Sequence, residues 1–228
     1  MADYHHILRS DGTSVEIALT DPSDGNFHID DPDGGLVERR RAVMEGTWAA
    51  VRQVHGSDVV DASDALATSE LVPADGLISG SIDQPISVQG ADCAPIAFIT
   101  ESGPIGVAHA GWRGLAAGIV SETSHALKPA GGTTVAAIVG PVICSNCYEF
   151  GSSDLDEVAS KLGDLVRAET ATGTPALDMR AGITAAFDRV GVTDVSFVGG
   201  CPSCDRTGFS HRARQDPERH CLVARVRQ

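Results

Sequence analysis

No hydrophobic run in this chain approaches the roughly 20 residues needed to span a bilayer. The opening stretch, MADYHHILRSDG, also lacks the apolar segment of a signal peptide. The expectation is a cytoplasmic protein with no membrane partner. Basic charge is scarce too: 17 Lys and Arg stand against 31 Asp and Glu, for a net charge of −14. Such a surface repels phosphate backbones, and no basic run interleaves with aromatics, so no nucleic-acid partner is expected. An anionic substrate would need a local positive pocket. Six cysteines in a reducing compartment read as thiols or metal ligands rather than disulfides. No repeat, low-complexity tract or long linker divides the chain, so residues 1–228 are expected to form one domain.

What is present suits a soluble globular protein, with 42% hydrophobic and 21% charged residues. Alternation over 13–20 predicts a strand, followed by a polar loop through DPSDGNFHIDDPDGG. Helices are predicted over 36–50, although Gly46 weakens that one, and over 115–127, 153–168 and 179–190. Short β-type runs (SDVVDA, GLISG, PISVQG, PIAFIT, PIGVAHA, TTVAAIVGP, DVSFVGG and CLVARVR) outnumber them. Their irregular alternation with the helices predicts an α+β fold with mixed sheets.

Three short segments carry ligands of one metal type: QVHG with His55, GADCAP with Cys93, and VAHAGWRG with His109. Two imidazoles and a thiolate suit zinc and leave a fourth position for water or substrate. The gaps of 38 and 16 residues exclude a compact finger, so tertiary folding would have to assemble the site. Each residue alone has a plainer reading, as a surface or core histidine or a small buried thiol. His109 precedes Gly111-Trp112-Arg113-Gly114 at a strand–turn–helix junction. There the backbone N–H groups and the Arg113 guanidinium favour an anion; the alternative is a tight turn with a packed Trp112.

Together, QVHG, ADC followed by Pro95, and HAGWRG resemble the YfiH family, also called laccase-domain or multicopper polyphenol oxidase-like proteins. ADGLIS at 74–79, GPVICSNCYEFG at 140–151 and CPSCDRTGFSHRAR at 201–214 agree with it. The resemblance implies a four-layer α/β/β/α sandwich and a zinc site at His55, Cys93 and His109. It also implies phosphorolysis of purine nucleosides (adenosine, inosine, guanosine, methylthioadenosine), with adenosine deamination as a second activity. The substrates would be a small purine nucleoside and phosphate. The chain departs from the family pattern at Pro22, where an arginine is usual, and at His211, where a tyrosine is usual.

For deamination, a metal-activated water needs a proton carrier. Asp92 is the first candidate, with the alternative of capping a turn or orienting a ligand, and Asp75 is the second. For phosphorolysis, Arg113 is the candidate phosphate holder, with Arg212 in reserve. Other readings use the same residues differently: a copper-dependent polyphenol oxidase, a metal-free hydrolase with Cys93 as nucleophile and His109 as base, or a non-catalytic zinc-containing binding protein. A second metal story rests on the pairs Cys144–Cys147 and Cys201–Cys204, which suit a Cys₄ zinc site although 53 residues separate them.

Overall fold

Period-two alternation of apolar residues builds two sheets that share one core. The computed structural model describes residues 1–206 and 208–228; Thr207, within the CPSCDRTGFSHRAR segment, lies outside the described residues. The chain begins with β1 (Asp3–Leu8), β2 (Ser14–Leu19), α1 (Leu36–Val43), β3 (Val59–Asp61) and α2 (Ala62–Leu66). The central part holds β4 (Gly76–Ser79), β5 (Ile86–Gly90), β6 (Ala94–Thr100), β7 (Ile105–Ala110), α3 (Trp112–Ala117), α4 (Ile119–Leu127) and β8 (Thr134–Val139). Then come α5 (Ser152–Leu162), β9 (Arg167–Glu169), β10 (Pro175–Leu177), α6 (Met179–Arg189), β11 (Asp194–Phe197), α7 (His211–Arg214) and β12 (His220–Arg227).

One sheet is antiparallel, in the order β1-β2-β12-β5. The second is mixed, in the order β11-β8-β6-β7-β4-β3, with parallel pairs at its two edges and antiparallel pairs between them. Strands β9 and β10 form a small separate pair. Val15, Ile17, Leu222 and Ala224 of the first sheet meet Ala97, Ile99, Ile105 and Val107 of the second in an inter-sheet core. The intervening residues Ile96, Phe98, Ala108 and Ala110 face the opposite way, under Leu127, Val158 and Ile183 of the helices. Ala18 and Val223 on the outer face of the first sheet are covered by Phe27, Met44 and Trp48. These three cores define four layers, α/β/β/α, as expected. Each fully buried Ile, Leu or Phe contributes roughly 1.5–3 kcal/mol of transfer free energy.

The helix expected over 36–50 ends at Val43. Met44 is extended and Gly46 takes a φ of 121°, so the chain turns. Residues after it run alongside β5, where Ala49 N–H donates to Pro85 O and Ser87 N–H donates to Ala49 O. Burial of Met44 and Trp48 outweighs local helix propensity there. The helix expected over 115–127 starts earlier, at Trp112, and is divided at Gly118, whose φ of 96° no other residue type adopts readily. Helix α5 stops at Leu162 because Gly163 leaves the helical region. The polar edge strand β1, largely exposed, carries no apolar alternation that would have announced it. Among the described residues, no helix is long and apolar enough to cross a membrane.

Candidate metal centre

Strand register accounts for two of the three expected ligands. In the antiparallel pair β6/β7, Ala94 faces Ala110 and Pro95 faces His109. His109 stands two residues beyond Val107, so it projects from the face that lines the inter-sheet core, past the end of that core. Cys93, just before β6, projects on the same side by the same alternation. His55 comes from the segment before β3 and holds a φ of 61°, in the left-handed region. Asp92, next to Cys93, also lies there, at 88°. Non-glycine residues rarely adopt this conformation, and such strain concentrates at functional sites.

The candidate ligand atoms of His55, Cys93 and His109 lie within 4.8 Å of one another, and Cys93 Sγ is 3.9 Å from His55 Nε2. The two imidazoles meet edge to face, with centroids 4.8 Å apart. Gly111 has to be glycine: a Cβ there would stand 2.8 Å from His55 Cδ2 and 3.1 Å from Cys93 Sγ.

One buried carboxylate holds two of the three ligands. His109 Nδ1–H donates to Asp75 Oδ1 at 2.8 Å, which leaves Nε2 for the site. The backbone N–H groups of Val54, His55 and Gly56 donate to the same carboxylate at 3.1, 3.0 and 2.7 Å. Burial alone would raise the Asp75 carboxyl, but the His109 bond and these N–H donors hold it below the usual carboxylate range. Fully buried and filled by four donors, Asp75 is a positioning group rather than a proton carrier.

Burial would push the Cys93 thiol up; the neighbouring His109 and His55 outweigh it and bring the thiol down to about 6. Burial likewise lowers His109, whereas Cys93 and Asp75 raise it to about 9. Thiolate and imidazolium stabilise each other, and an entering dication would take the place of the imidazolium proton. This donor set fits a divalent metal.

The cluster opens on a cavity of about 400 Å³, within the usual range of small-molecule sites. Arg113, Arg212 and Arg219 line it, and none of them has a carboxylate within 4.0 Å among the described residues. This is the local positive pocket that the acidic chain would need for an anion. The Arg113 guanidinium lies 4.2 Å from the Trp112 ring centroid, and that of Arg212 lies 5.0 Å from Tyr148. Burial, then the charge of Cys93, pushes the Tyr148 phenol up to about 12, so it stays a donor. His28 also lines the cavity. Burial and the charge of Arg219 lower its imidazole, and its Nδ1 accepts from Asp30 N–H at 3.0 Å.

Asp92 lines the cavity as well. Its Oδ1 accepts from Ser210 Oγ at 2.7 Å and its Oδ2 from Arg212 N–H at 2.6 Å, which ties down the segment that carries Arg212. The residues singled out in the sequence, namely His55, Asp92, Cys93, His109, Arg113 and Arg212, therefore converge on one cavity. Pro22 does not line it. His211, the other departure from the family pattern, does line it; His28, Gln53, Gln89, Tyr148 and Arg219 also line it and escaped sequence reasoning. Two of these lie inside sequence motifs: Gln53 opens QVHG and Tyr148 lies in GPVICSNCYEFG.

Residues 8–224 match the family described as multi-copper polyphenol oxidoreductase laccase. A purine nucleoside phosphorylase of Streptomyces coelicolor is 34% identical over 165 residues, covering 71% of this chain and 68% of the relative. An adenosine deaminase from an unknown prokaryotic organism is 33% identical over 132 residues, 54% of this chain and 50% of the relative. A crystal structure of a Neisseria meningitidis protein superposes with a TM-score of 0.80 at 23% identity, covering 99% of both chains, and is similar in fold.

Proposed function

This chain belongs to the multi-copper polyphenol oxidoreductase laccase family, the YfiH or laccase-domain family, and from that premise we propose that it is a zinc-dependent purine nucleoside phosphorylase. The observation that carries the reading is the joining, in one cavity, of the His55–Cys93–His109 donor set and three guanidiniums with no carboxylate within 4.0 Å among the described residues. The similarity to a purine nucleoside phosphorylase supports it. In this reading residues 1–228 act as one domain.

Phosphorolysis breaks the glycosidic C–N bond and forms a C–O bond to phosphate, releasing the free purine and ribose 1-phosphate. Arg113 and Arg212 would hold the phosphate through charge-assisted bonds, with Arg219 adding charge behind them. Trp112 and Tyr148 offer aromatic faces for the purine. The leaving purine needs a proton. His28, neutral and with Nδ1 already occupied as an acceptor, carries its hydrogen on Nε2 and is our candidate donor. His55, Cys93 and His109 would hold zinc, with Asp75 fixing the His109 tautomer. Bound there, zinc supplies Lewis-acid charge inside the cavity.

Zinc suits these donors better than a copper oxidase centre does. Among the described residues, the candidate groups are this triad and an all-cysteine cluster, and no methionine lines the cavity to serve as the long axial ligand of a blue-copper site. Adenosine deamination is a second activity of the same cavity in this proposal, supported by similarity to an adenosine deaminase. Asp92 is its candidate proton carrier, in addition to anchoring Arg212.

The test is chromatography of adenosine and inosine incubated with the zinc-loaded protein, with and without phosphate. Free base that appears only with phosphate is the expected result. Inosine formed from adenosine regardless of phosphate would move deamination to the front. Turnover of neither nucleoside would overturn the reading.

A further inference from the structure

Outside the cavity, the fold brings together two turns that are distant in sequence. Cys144 and Cys147 lie in the segment between β8 and α5; Cys201 and Cys204 follow β11. Their four Sγ atoms lie within 4.8 Å of one another, and those of Cys144 and Cys204 are 3.9 Å apart. A tetrahedral zinc with Zn–S bonds of about 2.3 Å places its sulfurs about 3.8 Å apart. A disulfide would need about 2.05 Å, and all four thiols are free.

Each pair is presented by a hydrogen-bonded turn. Cys147 N–H donates to Cys144 O at 3.0 Å, and Asp205 N–H donates to Cys201 O at 2.9 Å. Asp205 Oδ2 accepts in return from Cys201 N–H at 2.8 Å. Across the two turns, Cys144 N–H donates to Cys201 Sγ at 3.3 Å, a contact that favours a thiolate there. Cys201 belongs to the helix-side core, and Cys144 and Cys147 pack against it, so three of the four ligands are held in place by the fold. Cys204 directs its S–H to Asp205 Oδ1 at 3.3 Å, and metal entry would release that proton.

We propose that Cys144, Cys147, Cys201 and Cys204 bind a zinc ion of their own, a closed structural site that clamps together two walls of the cavity lined by Tyr148 and Arg212. Tyr148 follows Cys147 directly, and Ser210 and Arg212 lie a few residues after Cys204. Between these walls the Arg212 guanidinium lies 5.0 Å from the Tyr148 ring, and Asp92 accepts from Ser210 and Arg212. Four protein thiolates fill a zinc ion's tetrahedron and leave no position for substrate. The four cysteines are therefore positioning residues, not catalytic ones. This site is independent of the nucleoside reading and of the ligands at His55, Cys93 and His109.

The experiment is zinc analysis of the full-length chain, expressed with zinc and desalted, alongside the variants Cys144→Ser/Cys204→Ser and His109→Ala. Two zinc equivalents per parent chain are expected, with one lost in each variant. A parent with one equivalent that Cys144→Ser/Cys204→Ser leaves unchanged would overturn the proposal. So would iron in place of zinc, or a thiol count that rises by two only after reduction, which would reveal a disulfide. Should the double variant fail to fold, zinc-edge X-ray absorption of the parent decides. A sulfur-dominated shell near 2.3 Å is expected; a shell dominated by nitrogen and oxygen would contradict it.

Discussion

The two clusters of soft donors in this chain are built to different ends. The His55–Cys93–His109 cluster has three mixed donors, opens on a cavity of about 400 Å³, and has positive φ at the ligand His55 and at Asp92 beside Cys93. It also leans on a buried carboxylate that fixes His109 and the loop carrying His55. The cysteine cluster has four donors of one kind on two short turns, three of them belonging to or packed against the core. An open coordination position has to be lined, charged and kept in register by surrounding groups. A closed one needs only its ligands. Asp75 braces the triad from full burial with four donors, whereas Asp205 braces the thiols from an exposed turn with two; in this account that difference separates a site for chemistry from a site for scaffolding.

The largest expected effect comes from His109→Ala. Phosphate-dependent nucleoside cleavage should fall by on the order of 10³-fold or more, about 4 kcal/mol of transition-state stabilisation. Steady-state kinetics reads it, and the global fold by circular dichroism should be retained. A chelator that strips the triad should do the same to the parent. Activity that survives complete zinc removal would instead point to Cys93 acting as a nucleophile.

Asp75→Asn probes the support rather than the ligand. Loss of the charged acceptor for His109 should weaken zinc at the triad about 10–100-fold, a typical loss for a group that orients a ligand. Competition with a colorimetric chelator measures this, and the cysteine cluster should keep its affinity. Equal weakening at both clusters would erase the distinction between them.

Arg113→Ala should raise the KM for phosphate about tenfold or somewhat more, as expected for the loss of a charge-assisted bond, with a smaller change for the nucleoside. A KM change confined to the nucleoside would remove Arg113 from the phosphate subsite. Arg113→Lys should restore only part of the loss, because a point charge does not reproduce the guanidinium fork.

A smaller effect, on stability, is expected from pH. His220 is 1% exposed, neither ring nitrogen has a partner among the described residues, and burial lowers its imidazole from 6.5 to about 4. The unfolded chain therefore binds this proton more readily than the native state does. Stability is complete above pH 6.5 and declines as pH falls toward 4, by up to about 3 kcal/mol. His220 packs between Gly90 and Gly208, and Gly90 lines the cavity, so acid should loosen the chemical site before the scaffold. Urea unfolding at pH 7 and pH 5 should show a smaller loss for His220→Gln than for the parent.

Much of the site was legible because its parts are local motifs. HAGWRG places His109, the turn glycine and Arg113 within five residues, and ADC places Asp92 beside Cys93. The strand pattern was legible where both sheet faces are buried, as in β6 and β7, since every residue there except His109 is apolar or small. The helix expected over 36–50 was misread because pairing beside β5 and burial of Trp48 are tertiary effects, although Gly46 marked the break. His28, Gln89 and Arg219 are single polar residues whose convergence depends on strand order, and neither spacing nor periodicity records it; Gln53 opens QVHG, but the motif drew attention to His55 alone. Asp75 was noticed but given the wrong task. Its role follows from complete burial and four donors, neither of which an ADG triplet reveals. The two cysteine pairs were legible as pairs; their meeting across 53 residues of chain was a matter of topology.

The most direct test measures zinc content and phosphate-dependent release of base from inosine in the same samples of parent and His109→Ala. The account predicts that one zinc equivalent and the activity disappear together in His109→Ala, while the second equivalent stays. Parental turnover in a His109→Ala sample that has lost that equivalent would contradict it.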